Sequence, residues 1–187
     1  MSGSRGPWQV GASRTVYENP WLRLTEHDVT RPDGEPGLYG VVEFANLAIA
    51  VLPLFEDGTT VLVGQHRFPQ DKYSWEIPEG GGPLGEPPLD SARRELKEET
   101  GLTARLVGLV DVVDGIFTSR TTGDVTRHFV LFDYAAIWVS GTVMAGDDAA
   151  HAEWISPSRL AELEIWDETR RIIEAARALV ASSQTAS

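Results

Sequence analysis

GGGPLGEPPLDSARRELKEETGL, Gly80 to Leu102, is the stretch on which the fold of this chain turns. Glycine and proline crowd the residues from Pro78 to Pro88, which lead into it and predict a loop. Leu89 to Thr100 contains neither residue, and Gly101 follows where a helix C-terminus wants left-handed backbone. A helix over Leu89–Thr100 is therefore expected. Successive helical positions turn by about 100°, which lines up Leu89, Ala92, Leu96 and Thr100 on one stripe expected to face a core. Glu95, Glu98 and Glu99, spaced i, i+3 and i+4, share the face beside it. Like charges at such spacing cost about 0.2–0.5 kcal/mol per pair, and more where solvent is excluded. Arg94 reaches Glu98 at i+4, but one guanidinium does not neutralise three acids. A divalent cation does.

Such a run of glutamates is ordinarily a solvated helix face. Here the loop glycine, Glu86, the Arg94-Glu95 pair and Gly101 stand in one fixed register with it, and that favours a metal site. The chain has no cysteine and four histidines, so the ligands are oxygens, which points to Mg²⁺, with Mn²⁺ as the substitute, rather than Zn²⁺.

Outward from this segment, Ala45–Phe55 and Thr60–Arg67 are apolar, β-branched runs on either side of Glu56, Asp57 and Gly58, the signature of a hairpin. Leu106–Val113 and Thr126–Val139 read as strands joined by a polar loop, Asp114 to Asp124. Trp166 or Asp167 opens a last helix with Ile172, Ile173, Ala176, Leu179 and Val180 on one face. Before Phe44, segments near Arg14–Tyr17, Trp21–Val29 and Leu38–Phe44 read as strands. Residues 1–12 and 181–187 are small and polar and are expected to be loose. The expected organisation is a strand-rich extension over 1–44, one domain over 45–180 and a short tail.

The 187 residues carry a formal charge of −12, which argues against a broad grip on nucleic acid. The opening MSGSRGPWQV lacks the apolar centre of a secretion signal, and the run Ala45–Phe55 is shorter than the ~20 residues a spanning helix needs. A cytoplasmic protein that does not engage membranes is the expectation.

The register resembles the Nudix box: Gly80, Glu86, Arg94, Glu95, Leu96, Glu98, Glu99, Gly101 and Leu102 fill every defined position. The resemblance implies an α/β fold, the αβα sandwich around a mixed sheet, and Mg²⁺-dependent hydrolysis of a diphosphate linkage. It implies Glu95 and Glu99 as metal ligands, Glu98 as ligand or support for the attacking water, Arg94 as the group orienting the carboxylates, and the backbone carbonyl of Glu79 as a further ligand. Glu86 is the loop acid, with a structural tie to Arg94 as the alternative. The preceding VGQHRFPQDKYSWEIPEGGG resembles ADP-ribose and nucleotide-sugar hydrolases. By that likeness Arg67 clamps the diphosphate, Glu76 supports it, and Arg120 touches the distal group. Candidate bases are Glu98 and the acids of the loop GDDAAHAEWIS: Asp147, Asp148 and Glu153. For Asp147 and Asp148 the turn reading stands beside the catalytic one. Phe68 and Trp75 are expected in the core, and His66 and His128 in structural roles.

Relatives acting on ADP-ribose carry a proline beyond the box where this chain has Phe117 and Thr118, which widens the implied substrate to nucleoside diphosphate sugars. The extension before Phe44 resembles the element through which such enzymes form homodimers. Other readings are a dinucleoside polyphosphate or RNA 5′-end hydrolase, and a nucleotide-binding regulator without catalysis.

Overall fold

The structure is a computed structural model that describes residues 3–68, 71–118, 125–146 and 149–185. It divides into two compact units, Met1–Asn46 and Leu47–Ser187.

The first unit is an antiparallel sheet of β1 (Gly3–Arg5), β2 (Trp8–Glu18), β3 (Leu22–Thr30) and β4 (Pro36–Phe44), in that spatial order. Its turns explain the order. Gly6 takes a positive φ of 57° between β1 and β2, and the Asn19 side chain accepts from the backbone N–H groups of Trp21 and Leu22 at 2.9 and 2.8 Å. Residues 3–5 and 8–12, expected to be loose, are strand: Gly3, Ser4 and Arg5 pair with Val10, Gln9 and Trp8. Ladder bonds come from the backbone, so small residues do not forbid them once a glycine turn brings two segments together. The register from Leu22↔Phe44 to Thr30↔Pro36 places Leu22, Leu24, Leu38, Val42 and Phe44 on one face of the sheet. Leu38, Val42 and Phe44 are exposed there.

The second unit opens with β5 (Asn46–Leu54) and β6 (Thr60–Arg67), followed by β7 (Lys72–Glu76), β8 (Glu79–Pro83) and α1 (Pro88–Thr100). Then come β9 (Thr103–Thr118), β10 (Val125–Ser140), β11 (His151–Ile155), α2 (Pro157–Glu162) and α3 (Asp167–Thr185). The sheet is mixed, in the order β11-β6-β5-β10-β9, with β7 paired to β6 and β8 to β5. β10 runs parallel to β5 and antiparallel to β9. One sheet face carries Ile49, Val51, Val61, Tyr134 and Ala136 against Ala92 and Leu96 of α1. The other carries Ala50, Leu52, Leu62 and Ala135 against Ile172, Ile173, Ala176 and Val180 of α3. This is the expected αβα sandwich, both faces covered because the strands are apolar on both sides.

Several boundaries moved. Glu79–Pro83, read as loop, is strand β8, and His151–Ile155, read as part of an acidic loop, is the edge strand β11. β9 continues through Asp114 into the stretch expected as polar loop, ending at Thr118. The last helix continues through Ala181 to Thr185 instead of giving way to a tail; the hydroxyls of Ser182, Ser183 and Thr185 bond to carbonyls three residues back. Leu89, expected on the buried stripe, is 43% exposed because it lies in the first turn. Ser91 takes a buried place instead.

Asp133 is an anomaly in this core. It sits on β10 between Ala50 and Asp111 and is only 3% exposed. Burial, with Glu79, Asp111 and Glu168 adding repulsion, pushes its carboxyl up from 3.8 to about 7. Between those values the folded chain keeps a proton that the unfolded chain has lost, so this group's contribution to stability falls as pH rises from about 4 to about 7. The full swing is on the order of 4 kcal/mol. Thermal melts across that range should show Asp133→Asn losing less stability with rising pH than the unaltered protein. Parallel curves would remove the buried proton from the account.

Candidate active site

Helix α1 and strand β8 build the site together. α1 starts with Pro88 in its first turn and ends at Gly101, whose φ of 72° and N–H bond to the Lys97 carbonyl at 2.9 Å close the helix. Between these ends Glu95 is the buried acid, 7% exposed. A β-carbon at Gly80 would lie 1.7 Å from Glu95 Oε2, so the carboxylate occupies the space that any other residue at position 80 would fill. Gly82 does the same for the Ile49 side chain, with a virtual β-carbon 2.5 Å from its Cδ1.

Arg94 ties the acids together. Its guanidinium donates to Glu95 Oε1 at 2.6 Å, Glu98 Oε2 at 3.1 Å, Glu86 Oε2 at 3.0 Å and the Gly81 carbonyl at 3.0 Å. The hydrogen bond that Arg94 donates to Glu86 raises the Arg94 pKa further, with Glu95 and Glu98 contributing. In return Glu86 is held below the ordinary carboxylate range, first by the Ser91 hydroxyl and then by Arg94. Glu95 moves the opposite way: burial raises its pKa, and Arg94 offsets only part of that. Glu86 is thus the structural tie to Arg94. Ser91 was not singled out from the sequence; its one signal there is its place four residues before Glu95, on the face of the acids.

A second guanidinium lies before the box. Arg67 Nε donates to Glu76 Oε1 and Oε2 at 3.0 and 2.9 Å, and its Nη2 contacts both Glu76 and the Glu79 side chain. Gln65 also donates to Glu76, at 3.3 Å. Alternation along β6 puts Gln65 and Arg67 on the same face as Val63, whose cross-strand partner on β7 is Glu76. Arg67 and Glu76 are therefore together as expected. Glu79, expected to act through its carbonyl, engages Arg67 with its side chain.

Hydrolases that break a diphosphate need positive charge against the phosphates and a placed water, and a helix of acids held by arginines against a glycine strand suits a cation that supplies the first. The NUDIX domain pattern matches residues 45–176. The chain belongs to the Nudix family. The N-terminal domain of nucleoside diphosphate sugar hydrolases also matches, over residues 8–42. An ADP-ribose pyrophosphatase of Bacillus subtilis is 30% identical over 126 residues, 67% of this chain and 66% of that protein, so the chain spans about two thirds of that relative's length. A CMP-5′-(N-acetyl-N-hydroxy-3-aminopropyl)phosphonate hydrolase of Streptomyces rubellomurinus is 33% identical over 161 residues, covering 74% and 78% of the two chains. A crystal structure of an ADP compounds hydrolase shares the fold, with TM-score 0.63, 16% identity and coverage of 93% and 94%.

Nudix hydrolases generally work with divalent metal ions. The box residues fit such an ion in kind: the donors are oxygens, and Gly80 leaves a cradle in which the Glu95 carboxylate sits. Among the described residues no three acidic or imidazole side chains already converge on one point, and Arg94 stands between Glu95 and Glu98.

Other expected positions fall differently. Asp147, Asp148 and Arg120 lie outside the described residues. Glu153 is on β11, paired with Arg159 at 2.7 Å. Phe68, expected in the core, is 92% exposed at the end of β6. Trp75 does pack on the core, its ring edge-on to Tyr73 at 5.9 Å. His66 is exposed and bonded to Asp71 Oδ1 at 3.0 Å.

Gly80→Ala tests the cradle. The methyl group forces the Glu95 carboxylate aside while the fold, with its clash confined to one side-chain end, persists. A carboxylate misplaced by about 1 Å is expected to lower turnover about 100-fold with a native circular dichroism spectrum. Unchanged turnover would mean that the seat of Glu95 is immaterial.

Proposed function

We propose that this enzyme hydrolyses the diphosphate bond of ADP-ribose or of nucleoside diphosphate sugars with Mg²⁺, or Mn²⁺ in its place, releasing a nucleoside monophosphate and a sugar phosphate. The observation that carries the reading is the Glu95 carboxylate seated on Gly80 and held by Arg94 beside Glu98. The two leading relatives by name act on nucleotide diphosphate or phosphonate conjugates, and the N-terminal match belongs to nucleoside diphosphate sugar hydrolases.

Glu95, Glu98 and Glu99, with the Glu79 carbonyl, would hold the ion. Bound there, it supplies charge neutralisation of the diphosphate and acidifies water. The chain's own groups do the rest. Arg94, keeping its bonds to Glu86 and Gly81, fixes the height of the acids above β8. Arg67 offers its guanidinium to the diphosphate, and Glu76 keeps it aligned. Arg120 is the candidate for contact with the distal group. Water adds to one phosphorus, the bridging P–O bond breaks, and the oxygen on the other phosphorus leaves with the electron pair. Glu98, whose side chain is 59% exposed, takes the water's proton in this scheme, with Asp148 as the second candidate.

The exposed Leu38, Val42 and Phe44 face of the N-terminal sheet supports a homodimer, since a second copy would cover apolar area otherwise left in water. The reading takes the cytoplasm as the place of action, in keeping with the lack of cysteine. Among the described residues no helix is long and apolar enough to cross a membrane.

The experiment is a product analysis with Mg²⁺ and a panel of ADP-ribose, nucleotide sugars, dinucleoside polyphosphates, triphosphates and 5′-triphosphorylated RNA. Monophosphate plus sugar phosphate is expected from the first two. Release of pyrophosphate from RNA alone would replace this reading. Glu99→Gln is expected to lower turnover by at least about 1,000-fold at unchanged melting temperature, as loss of a charged ligand costs several kcal/mol. Near-normal turnover in that variant would contradict the metal assignment.

A further inference from the structure

The last turn of α1 carries Glu98 and Glu99, and a helix end leaves four carbonyls, here those of residues 97–100, without partners of their own. Gly101 N–H satisfies Lys97. The other bonds come from far along the chain. Met144 N–H donates to the Thr100 carbonyl at 3.0 Å and Gly146 N–H to the Glu99 carbonyl at 3.0 Å. The segment 141–146 therefore lies along the helix end as an extra cap.

Its approach is close enough to need glycine at three points. A β-carbon at Gly141 would be 2.6 Å from the Gly101 carbonyl oxygen, and one at Gly101 would be 2.9 Å from the Thr142 oxygen. A β-carbon at Gly146 would be 2.8 Å from the Glu98 carbonyl oxygen and 3.0 Å from the Glu99 Cα. Gly101 and Gly141 also have positive φ, which alone favours glycine. Gly146 does not, so space is its sole requirement. Those atoms are backbone, which cannot swing away as a side-chain end can. Beyond the described gap, the Ala150 N–H bonds the Gly64 carbonyl of β6 at 2.8 Å, and the His151 Nδ1 meets the Tyr73 hydroxyl at 3.1 Å. The same segment is thus fixed to the sheet further on.

We propose that residues 141–146 form a strap that sets the last turn of α1, with Gly146 a positioning residue for the Glu98 and Glu99 carboxylates. The inference rests on the metal reading above. By linkage, an ion that binds the last turn and a strap that orders it favour each other. Backbone contacts beneath ligands act like the outer partners of other metal sites, whose loss weakens affinity about 10- to 100-fold.

The test is Mn²⁺ titration of the full chain, read by electron paramagnetic resonance, in the unaltered protein and in Gly146→Ala. Uptake by the first and about 10-fold weaker uptake by the second, at a native circular dichroism spectrum, is the expected result. Equal affinity in the two would overturn the strap while leaving the metal site standing. No uptake by the unaltered protein would bring down the metal reading, and the strap with it. Should Gly146→Ala fail to fold, amide exchange in the unaltered protein decides. Mg²⁺ is expected to slow exchange at Met144 and Gly146, and exchange there indifferent to Mg²⁺ overturns the proposal.

Discussion

A carboxylate resting on bare backbone is the constraint from which the rest of this site follows. Glu95 is nearly enclosed, and an enclosed charge is costly unless something opposite and well placed meets it. The absence of a β-carbon at Gly80 lets it lie against β8, and Arg94, one residue earlier on the helix, meets it from the side. Because Arg94 must also reach Glu86, Glu98 and the Gly81 carbonyl, the loop, the helix and the strand are drawn to one guanidinium. A planar group with five donors can do this; a lysine ammonium at the same position lacks the reach and the fork. The arrangement still leaves one positive charge among three carboxylates, a local deficit that suits a further cation.

Arg67 repeats the device on the neighbouring strands, against Glu76 and Glu79. Glu79 and Gly80 are adjacent, so the two arginine-centred groups meet at one point of β8. In a chain of net charge −12, these two guanidinium groups bring positive charge to a strongly acidic setting.

The sequence made the sandwich and the acid-bearing helix legible, because both are written in local pattern: unbroken apolar, β-branched runs in β5 and β6, period 3.6 in α1 and α3, glycine at the helix end. Arg94 and Glu86 were legible through spacing. What stayed hidden depended on partners distant in the chain. Nothing local about EGGGP announces a strand, since its ladder comes from β5 and its glycines answer to Glu95 and Ile49. Phe68 looked like core and is on the surface because β6 ends just before it. Asp133 sits in an apolar strand, where composition suggests no charge at all. Gly146 carries no local signal of its place, and its reason lies some fifty positions earlier, in the backbone of Glu98 and Glu99.

The parallel pairing of β10 with β5 also sets an order of events during synthesis. Leu54 meets Thr60 of β6 across the hairpin at once, but the parallel edge of residues 48–54 waits for residues 131–137. Until then an apolar strand stands with one row of amides and carbonyls unmet, open to any passing strand edge. Such distant pairing slows folding. A nascent chain halted before Ile137 would therefore be the form of this protein that most needs a chaperone.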